Sequence, residues 1–265
     1  MATSTKIINE KVPNMRDLGG MKTADGKVIK SGLLIRSEQL YYASENDKEL
    51  LKSIPLKQIF DFRNTKEVNE KPDPLLDGCE NLHLPIIDES TLLSWESKKS
   101  EEGKKQMEEA QKDPSAVINK MSDMYRSLVR MPYSCSQYSR FLNGVLDTEG
   151  AVLWHCTLGK DRCGWGSVLV ETVLGVSKED IIEDYLYTNE CIKDELVKYF
   201  EKKHITASMA KQNSLMTAVV EARTEYIMAA FDEAEKLYGS MDAYLKDGLG
   251  IDDTMIARFR EKYLA

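Results

Sequence analysis

Short apolar runs alternate with amphipathic stretches through the first 155 residues. Period-two or continuous apolar patterns predict four strands, at residues 33–35, 58–62, 82–87 and 151–155. Between them, helical periodicity predicts one helix at 46–53, capped by Ser44 and ended by Pro55, and a second at 137–146. Strands interleaved with helices predict an α/β protein whose central mixed sheet is flanked by helices.

Beyond Arg162 the pattern becomes almost entirely helical. Gly175 is expected to end one helix, and Ser177 to cap the next over residues 179–187. Further helical patterns cover 217–238, ended by Gly239, and 254–263. The sequence therefore predicts a helical C-terminal part.

The stretch between the third and fourth predicted strands has a different texture. Residues 98–105 are dense in mixed charge, and residues 107–129 show a looser helical pattern. One interpretation is a solvated helix face, and the other is a helical insertion that covers a cleft. We predict a single domain over residues 1–265, with a helical lid insertion at 92–130.

Composition sets limits on what this domain does. The 265 residues are 42% hydrophobic and 30% charged, which is typical of a globular protein with a real core. The formal net charge of −8 argues against a nucleic-acid or anionic-membrane surface.

No apolar run approaches the ~18 residues of a membrane span, and the N-terminus lacks a signal-peptide core. These features predict a cytoplasmic protein without integral membrane association. A mature secreted form, or secretion without a visible signal, is the alternative, and the oligomeric state is left open.

The cysteine and histidine spacings indicate neither a disulfide framework nor a metal site. Five cysteines are an odd number without staple-like spacing, so reduced thiols are expected. Three scattered histidines complete no metal-ligand motif, and no metal is predicted.

The segment from the fourth predicted strand to Arg162 carries the candidate chemistry. Strand, short loop and helix together direct backbone N–H groups and a helix dipole at one spot, which suits an oxyanion of phosphate size. Gly159 permits the turn, and Arg162 offers a planar fork to two phosphate oxygens. The predicted phosphate-binding residues are Cys156, Thr157, Leu158, Gly159, Lys160, Asp161 and Arg162.

Cys156 stands at the start of this loop, beside the helix N-terminus and Arg162. Such surroundings favour the thiolate, which is a strong nucleophile. The Cys-x5-Arg spacing therefore indicates covalent phosphoryl transfer through a phosphocysteine that water then hydrolyses. The alternative is a buried structural cysteine at a strand end.

The pattern His-Cys-x-x-Gly-Lys-Asp-Arg-x-Gly at residues 155–164 resembles the signature of the bacterial atypical tyrosine phosphatases. These are dual-specificity and lipid-active cysteine phosphatases, and some are secreted by pathogens. Further matching segments span most of the chain, at 14–20, 32–37, 61–63 with Glu67, and 184–189. The resemblance implies the phosphatase α/β fold, a cysteinyl-phosphate intermediate and no cofactor.

A carboxylic acid should stand near the loop to protonate the leaving group. Asp161 lies within the loop, and the resemblance suggests that relatives use this aspartate. Asp88 follows the third predicted strand, a placement like that of the mobile-loop acid in other cysteine phosphatases. We favour Asp161, whose alternative role is a helix N-terminal charge; for Asp88 the alternative is a turn residue.

Two loop residues leave alternatives open. Lys160 projects from the same lip, either to a second phosphate or as a surface lysine. Cys163 stands where the family usually has Thr or Ser, whose hydroxyl assists the second step, so slower hydrolysis is expected. Cys163 is also predicted either to form a reversible disulfide with Cys156 after peroxide treatment, or merely to replace the hydroxyl.

Other residues are predicted to support the loop. Asp61, Arg63 and Glu67 are expected to order the loop by ion pairs, as structural residues at a strand end; contact with the substrate is the alternative. His155 is expected to hold the loop by hydrogen bonds instead of acting as a base. Arg16 and Asp17 are expected to tie the N-terminal segment to the domain.

The function favoured by these residues is phosphomonoester hydrolysis, with a phosphorylated protein as substrate and phosphotyrosine as the leading target. Dual specificity is compatible with this, and a phosphoinositide or inositol phosphate is the alternative substrate. An inactive phosphate-binding module is a rival, as is a thiol redox protein using Cys156 and Cys163.

Overall fold

The computed structural model describes residues 3–88, 114–202 and 218–265. Within these ranges one six-stranded sheet has the order β1-β2-β3-β6-β4-β5. The first three strands pair antiparallel and the other neighbours pair parallel, which confirms a mixed α/β sheet. The strands are β1 Thr5–Lys6, β2 Arg16–Asp17, β3 Leu34–Ser37, β4 Leu56–Asp61, β5 Glu80–His83 and β6 Ala151–His155.

Helices cover both faces of the sheet's parallel part. In the described ranges they are α1 Glu45–Ser53, α2 Thr65–Glu70, α3 Pro114–Arg130, α4 Pro132–Asp147, α5 Arg162–Leu174, α6 Lys178–Lys202, α7 Thr224–Tyr238, α8 Met241–Ala243 and α9 Asp253–Tyr263. None of them combines the length and apolar character needed to cross a bilayer.

The central strand β6 explains where the core lies. All five of its residues are buried. Val152 and Trp154 belong to the larger apolar cluster, whereas Ala151 and Leu153 belong to a smaller cluster. Successive side chains of a strand point to opposite faces, so the continuous apolar run reflects burial on both sides.

Local signals for helix ends agree with the predictions. Ser44 caps α1 in a reciprocal capping box with Asp47. The hydroxyl of Ser177 accepts from the N–H of Asp180 in the first turn of α6. Gly175 and Gly239 adopt left-handed backbone conformations where α5 and α7 end, as glycine readily does.

Two predicted elements differ from the structure, and two short strands are not predicted by the sequence. The strand predicted at 82–87 is regular only over Glu80–His83. Beyond it the N–H groups of Leu84 and Ile86 still donate to the carbonyls of Asp61 and Phe62, but these acceptors are one residue apart where a regular parallel ladder has two. The helix predicted at 217–238 is interrupted at 221–223, where Asn189 bonds both backbone groups of Ala222. The strands β1 and β2 were missed, since two residues carry no periodicity.

The predicted lid insertion lies partly outside the described residues. Of the range 92–130, the structure describes only the portion from 114 onward, which forms α3. The division into a domain and a lid therefore stays a prediction.

Candidate active site

The candidate site lies at the carboxyl edge of the parallel strands. β6 delivers His155 and then Cys156 to this edge, and α5 begins six residues later at Arg162. Cys156 is buried, with 3% of its surface exposed. The connection between them is the predicted phosphate-binding loop, and ligands commonly bind at this edge of an α/β sheet.

The loop is held from outside through three successive carbonyl groups, those of residues 157–159. They accept hydrogen bonds from Gln39 N (3.4 Å), Asn14 Nδ2 (2.8 Å) and Arg36 Nη2 (3.0 Å), respectively. Across a trans peptide the next N–H points opposite to the carbonyl, so the amides of 158–160 face the loop interior. Converging amides at a helix N-terminus form an anion-binding cradle.

Gly159 is required by the close approach of the scaffold. Its φ is +67°, and a Cβ placed there would lie 2.6 Å from the carbonyl oxygen of Ser37 and 2.8 Å from Asn14 Nδ2. A side chain at this position would therefore displace the groups that hold the loop.

Glu67 fixes the guanidinium of Arg162. The distances are 2.7 Å from Arg162 Nη1 to Oε2 and 2.9 Å from Nη2 to Oε1, and the Thr157 hydroxyl also donates to Glu67. Burial alone would raise the pKa of Glu67, but the hydrogen bonds and charge of Arg162, with help from Thr157, lower it to about 2. Glu67 is therefore a carboxylate that orients the phosphate-binding arginine.

A buried ionic network lies behind the loop. The Nε2 atom of His155 lies 2.8 Å from Asp73 Oδ2, and Arg63 Nη2 lies 2.6 Å from Asp61 Oδ2 and 3.0 Å from Asp73 Oδ2. Burial lowers the pKa of His155, yet the neighbouring carboxylates of Asp61 and Asp73 outweigh it and raise the pKa overall. His155 is thus held by an acidic partner, and no sequence pattern had indicated Asp73.

This network also resembles a metal site in outline. Ligand atoms of Asp61, Asp73 and His155 all lie within 4.8 Å of one another, a grouping that linear spacing could not reveal. The Arg63 guanidinium already pairs with both carboxylates, so the cluster is charge-balanced by protein groups. We interpret it as a structural support for the loop.

Asp161 occupies the N-cap position of α5 but makes no capping hydrogen bond with its side chain. Its Oδ1 instead accepts from the hydroxyl of Tyr125 at 2.7 Å and lies 3.4 Å from Lys160 Nζ. The side chain is 24% exposed. Its carboxyl group is therefore not occupied as a helix cap.

Lys160 turns inward. Its side chain is fully buried, and Nζ donates to the carbonyls of Val219 (2.6 Å) and Glu221 (3.2 Å). The surface-lysine alternative is therefore wrong, and the ammonium that was expected to project from the lip towards a second phosphate points into the protein instead. These two carbonyls lie where the helical pattern predicted over residues 217–238 is interrupted.

Asp88 borders the part of the chain that the structure leaves undescribed. It is half-buried and lies two residues after Ile86, whose N–H donates at 3.4 Å to the Phe62 carbonyl. Arg162 Nη1 also lies 3.4 Å from that carbonyl, so the segment leading to Asp88 runs beside the site. Asp88 stays a prediction as the alternative acid.

Cys163 faces the strand backbone. Its thiol donates to the carbonyl of Trp154 at 3.5 Å, and burial raises its pKa to about 12. The hydroxyl that relatives usually carry at this position is expected to assist the second step, whereas the Cys163 thiol donates to a carbonyl of β6.

The arginine that holds the loop is itself anchored by Asp184 of α6. Arg36 Nη1 lies 2.8 Å from Asp184 Oδ2, and Arg16 Nη1 lies 3.1 Å from Oδ1. All three side chains are essentially fully buried. Arg16 thus ties the N-terminal segment to the domain as predicted, and Asp17 does so by accepting the N–H groups of Gly19 and Gly32.

Comparison with known proteins finds similarity to protein phosphatases over nearly the whole chain. A profile described as "Tyrosine phosphatase family" matches residues 7–265. A protein of Cupriavidus necator named "Putative tyrosine-protein phosphatase" is 28% identical over 258 residues, covering 96% of this chain and 86% of the relative. The "Triple specificity protein phosphatase PtpB" of Mycobacterium tuberculosis is 26% identical over 271 residues, covering 93% of this chain and 95% of the relative.

Proposed function

The chain belongs to the tyrosine phosphatase family and is a phosphatase, and we propose that it acts on phosphotyrosine in proteins through a phosphocysteine at Cys156. The observation that carries this proposal is the loop geometry. Inward-facing amides and the Glu67-held Arg162 frame the position of a nearly buried cysteine. Phosphoryl transfer depends mainly on such positioning and charge stabilisation.

In the first step the phosphoryl group sits among the loop amides and Arg162. The Cys156 thiolate attacks phosphorus as the bond to the tyrosine oxygen breaks, and Asp161 gives its proton to that oxygen. The products are the free phenol, a phosphocysteine and the Asp161 carboxylate. The amides and Arg162 stabilise the charge that spreads over the equatorial oxygens.

In the second step water attacks the phosphocysteine. Asp161 takes the proton of that water, the sulfur leaves as a thiolate, and inorganic phosphate is released. The acid of the first step thereby becomes the base of the second, and the enzyme returns to its starting protonation state.

Two observations favour phosphotyrosine over a phosphoinositide. Lys160 is committed to backbone carbonyls, so it adds no exposed cation beside the loop. Leu158, within the loop, leaves 39% of its surface exposed and offers apolar contact to an aromatic leaving group. The name of the Mycobacterium relative indicates a wider range for that protein, so phosphoserine and phosphothreonine peptides belong in the substrate panel.

We also propose a reducing setting such as the cytoplasm. All five cysteines are free thiols, and the proposed mechanism requires Cys156 to be reduced. Fractionation of the native cells with detection by antibody tests this location, and recovery of the protein outside the cell contradicts it.

The test of the nucleophile compares Cys156→Ser with Cys79→Ser, a matched control at a half-buried free thiol outside the loop. Cys156→Ser should abolish turnover of phosphotyrosine peptide yet retain vanadate binding, because the amides and Arg162 remain. Cys79→Ser should keep both. Substantial turnover by Cys156→Ser overturns the covalent mechanism, and a panel faster on phosphoinositides than on phosphopeptides overturns the substrate assignment.

A further inference from the structure

Two buried phenols connect the helices α3 and α6 to Asp161. The hydroxyl of Tyr125 donates to Asp161 Oδ1 at 2.7 Å, and the Tyr125 and Tyr185 hydroxyl oxygens lie 2.6 Å apart. Tyr125 is fully buried and Tyr185 is 1% exposed. The proposed mechanism assigns no role to either residue.

The two hydrogen bonds have a defined direction. A phenol carries a single hydroxyl proton, and that of Tyr125 is directed to Asp161. Tyr185 must therefore donate to the Tyr125 oxygen. Burial, reinforced by the nearby Asp161 carboxylate, raises the pKa of both phenols well above the usual value of 10, so both stay protonated donors at neutral pH.

Packing fixes both hydroxyl groups. A Cβ at Gly164, in the first turn of α5, would lie 3.2 Å from the Tyr185 ring, so glycine lets that ring rest directly on the helix. The Tyr125 ring lies with its centroid 5.8 Å from that of Tyr226. Neither phenol can rotate away without opening the core, and the chain of donors is therefore pre-organised.

The geometry points to a positioning role: we infer that the Tyr185–Tyr125 pair pins Oδ1 of Asp161, so that Oδ2 carries the transferable proton. This inference rests on the proposed role of Asp161 as acid and base. The Oδ2 proton passes to the leaving oxygen as its bond to phosphorus breaks. The carboxylate later takes a proton from the attacking water, while both phenols keep their own protons throughout.

The experiment removes one hydroxyl at a time and varies the leaving group. Tyr125→Phe keeps the ring but leaves Oδ1 without its donor. Turnover of phenyl phosphate, a poor leaving group, should fall about tenfold, and that of para-nitrophenyl phosphate less than about twofold, since proton transfer matters less for a good leaving group. Tyr185→Phe should change turnover in the same direction by about two- to threefold.

The pH profile supplies an independent readout. The Tyr125 hydroxyl is a fixed donor to the proposed acid, so its removal should alter the proton-transfer step in particular and not the whole reaction. The shape of the kcat–pH profile should therefore differ between Tyr125→Phe and the parent. A role confined to packing would lower activity equally at every pH.

Tyr226→Phe is the matched control. Its ring contacts Tyr125, but its hydroxyl donates to the Ala218 carbonyl. It should leave both the leaving-group dependence and the pH profile unchanged. If all three variants lose activity equally across leaving groups, the positioning role is overturned.

Asp161→Asn separates this inference from the function beneath it. If turnover by Asp161→Asn falls no more for poor leaving groups than for good ones, the acid assignment itself is overturned. If Asp161→Asn loses most turnover on poor leaving groups while both Tyr→Phe variants keep the parent's dependence on the leaving group, the positioning role alone is overturned. Vanadate affinity and circular dichroism check folding, and Tyr185→Phe carries the test if Tyr125→Phe folds poorly.

Discussion

Glu67 of α2 accepts two parallel hydrogen bonds from Arg162 of α5, which lies 95 residues further along the chain. Both side chains are mostly buried, with 27% of Glu67 and 14% of Arg162 exposed. Planar pairing of this kind sets the orientation of the guanidinium as well as its charge. The arginine is therefore aligned before any phosphate arrives.

Replacing this carboxylate should damage catalysis. Glu67→Gln offers one acceptor oxygen where there were two and directs an NH₂ group at Arg162. We expect kcat/KM to fall by about ten- to a hundredfold, because misorientation of a binding group has effects of that order. Glu49→Gln, which loses only an exposed pair with Lys52, should match the parent. Equal kinetics for both variants would contradict the orienting role.

The same pair predicts an acid-dependent loss of stability. Burial would raise the pKa of Glu67, but Arg162 and Thr157 together bring it from 4.5 to about 2. A carboxyl group whose pKa is lower in the folded than in the unfolded protein stabilises the fold at pH values above its unfolded-state pKa. This contribution is lost as pH falls from about 4.5 towards 2. Urea unfolding should lose up to about 3 kcal/mol over this window. In Glu67→Gln that component of the pH dependence should be absent.

Gly159→Ala tests the close approach of scaffold and loop. Gly26, whose φ is +86° and whose surroundings leave open space within 4 Å of where a Cβ would lie, provides the matched control. Alanine at either position must adopt a positive φ, which costs about 1 kcal/mol. Only the Cβ at position 159 would also clash with Ser37 and Asn14. We expect vanadate binding to collapse in Gly159→Ala and to persist in Gly26→Ala. Retained binding in both would show that the loop tolerates a shift.

Lys160→Met tests the inward lysine. The variant keeps the length of the stem but leaves the Val219 and Glu221 carbonyls without their donor, at a cost of about 1–3 kcal/mol. Lys30→Met is the control, since Lys30 also donates to a carbonyl, that of Lys262 at 2.9 Å, but in a more exposed setting. Denaturant melts should show a clear loss only for Lys160→Met. Equal losses would mean that burial of the ammonium is irrelevant.

The buried thiol of Cys163 should give little protection from peroxide. With a pKa raised to about 12 by burial it stays protonated at neutral pH, whereas resolving a sulfenic acid requires a thiolate. After peroxide and then reductant, Cys163→Ser should therefore recover activity to the same extent as the parent. Recovery by the parent alone, with a Cys156–Cys163 bond seen by mass spectrometry, would reverse this conclusion.

Much of the fold was predictable because its signals are local. The strand Ala151–His155 has the predicted bounds, since a continuous apolar run of five residues that follows a glycine is typical of a buried strand. Ser44 and Gly175 likewise mark helix ends by properties of single residues. The loop from Cys156 to Arg162 was found for the same reason.

The contacts that complete the site were not predictable. Asp73 reaches His155, and Tyr125 reaches Asp161, only after the sheet and helices have packed. Asp73 belongs to no periodic or motif-like pattern, and the helical pattern that includes Tyr125 does not indicate what its hydroxyl contacts. The inward turn of Lys160 was missed because its acceptors lie about sixty positions away.

The tethers of the phosphate-binding loop have a consequence for the order of events in folding. Asn14 and Arg36 reach the loop across sequence separations of 144 and 123 residues. Contacts of such span form late, because chain entropy must first be lost elsewhere. During refolding, helical signal should therefore return before catalytic competence. In mild denaturant the enzyme should lose its activity while most of its secondary structure persists.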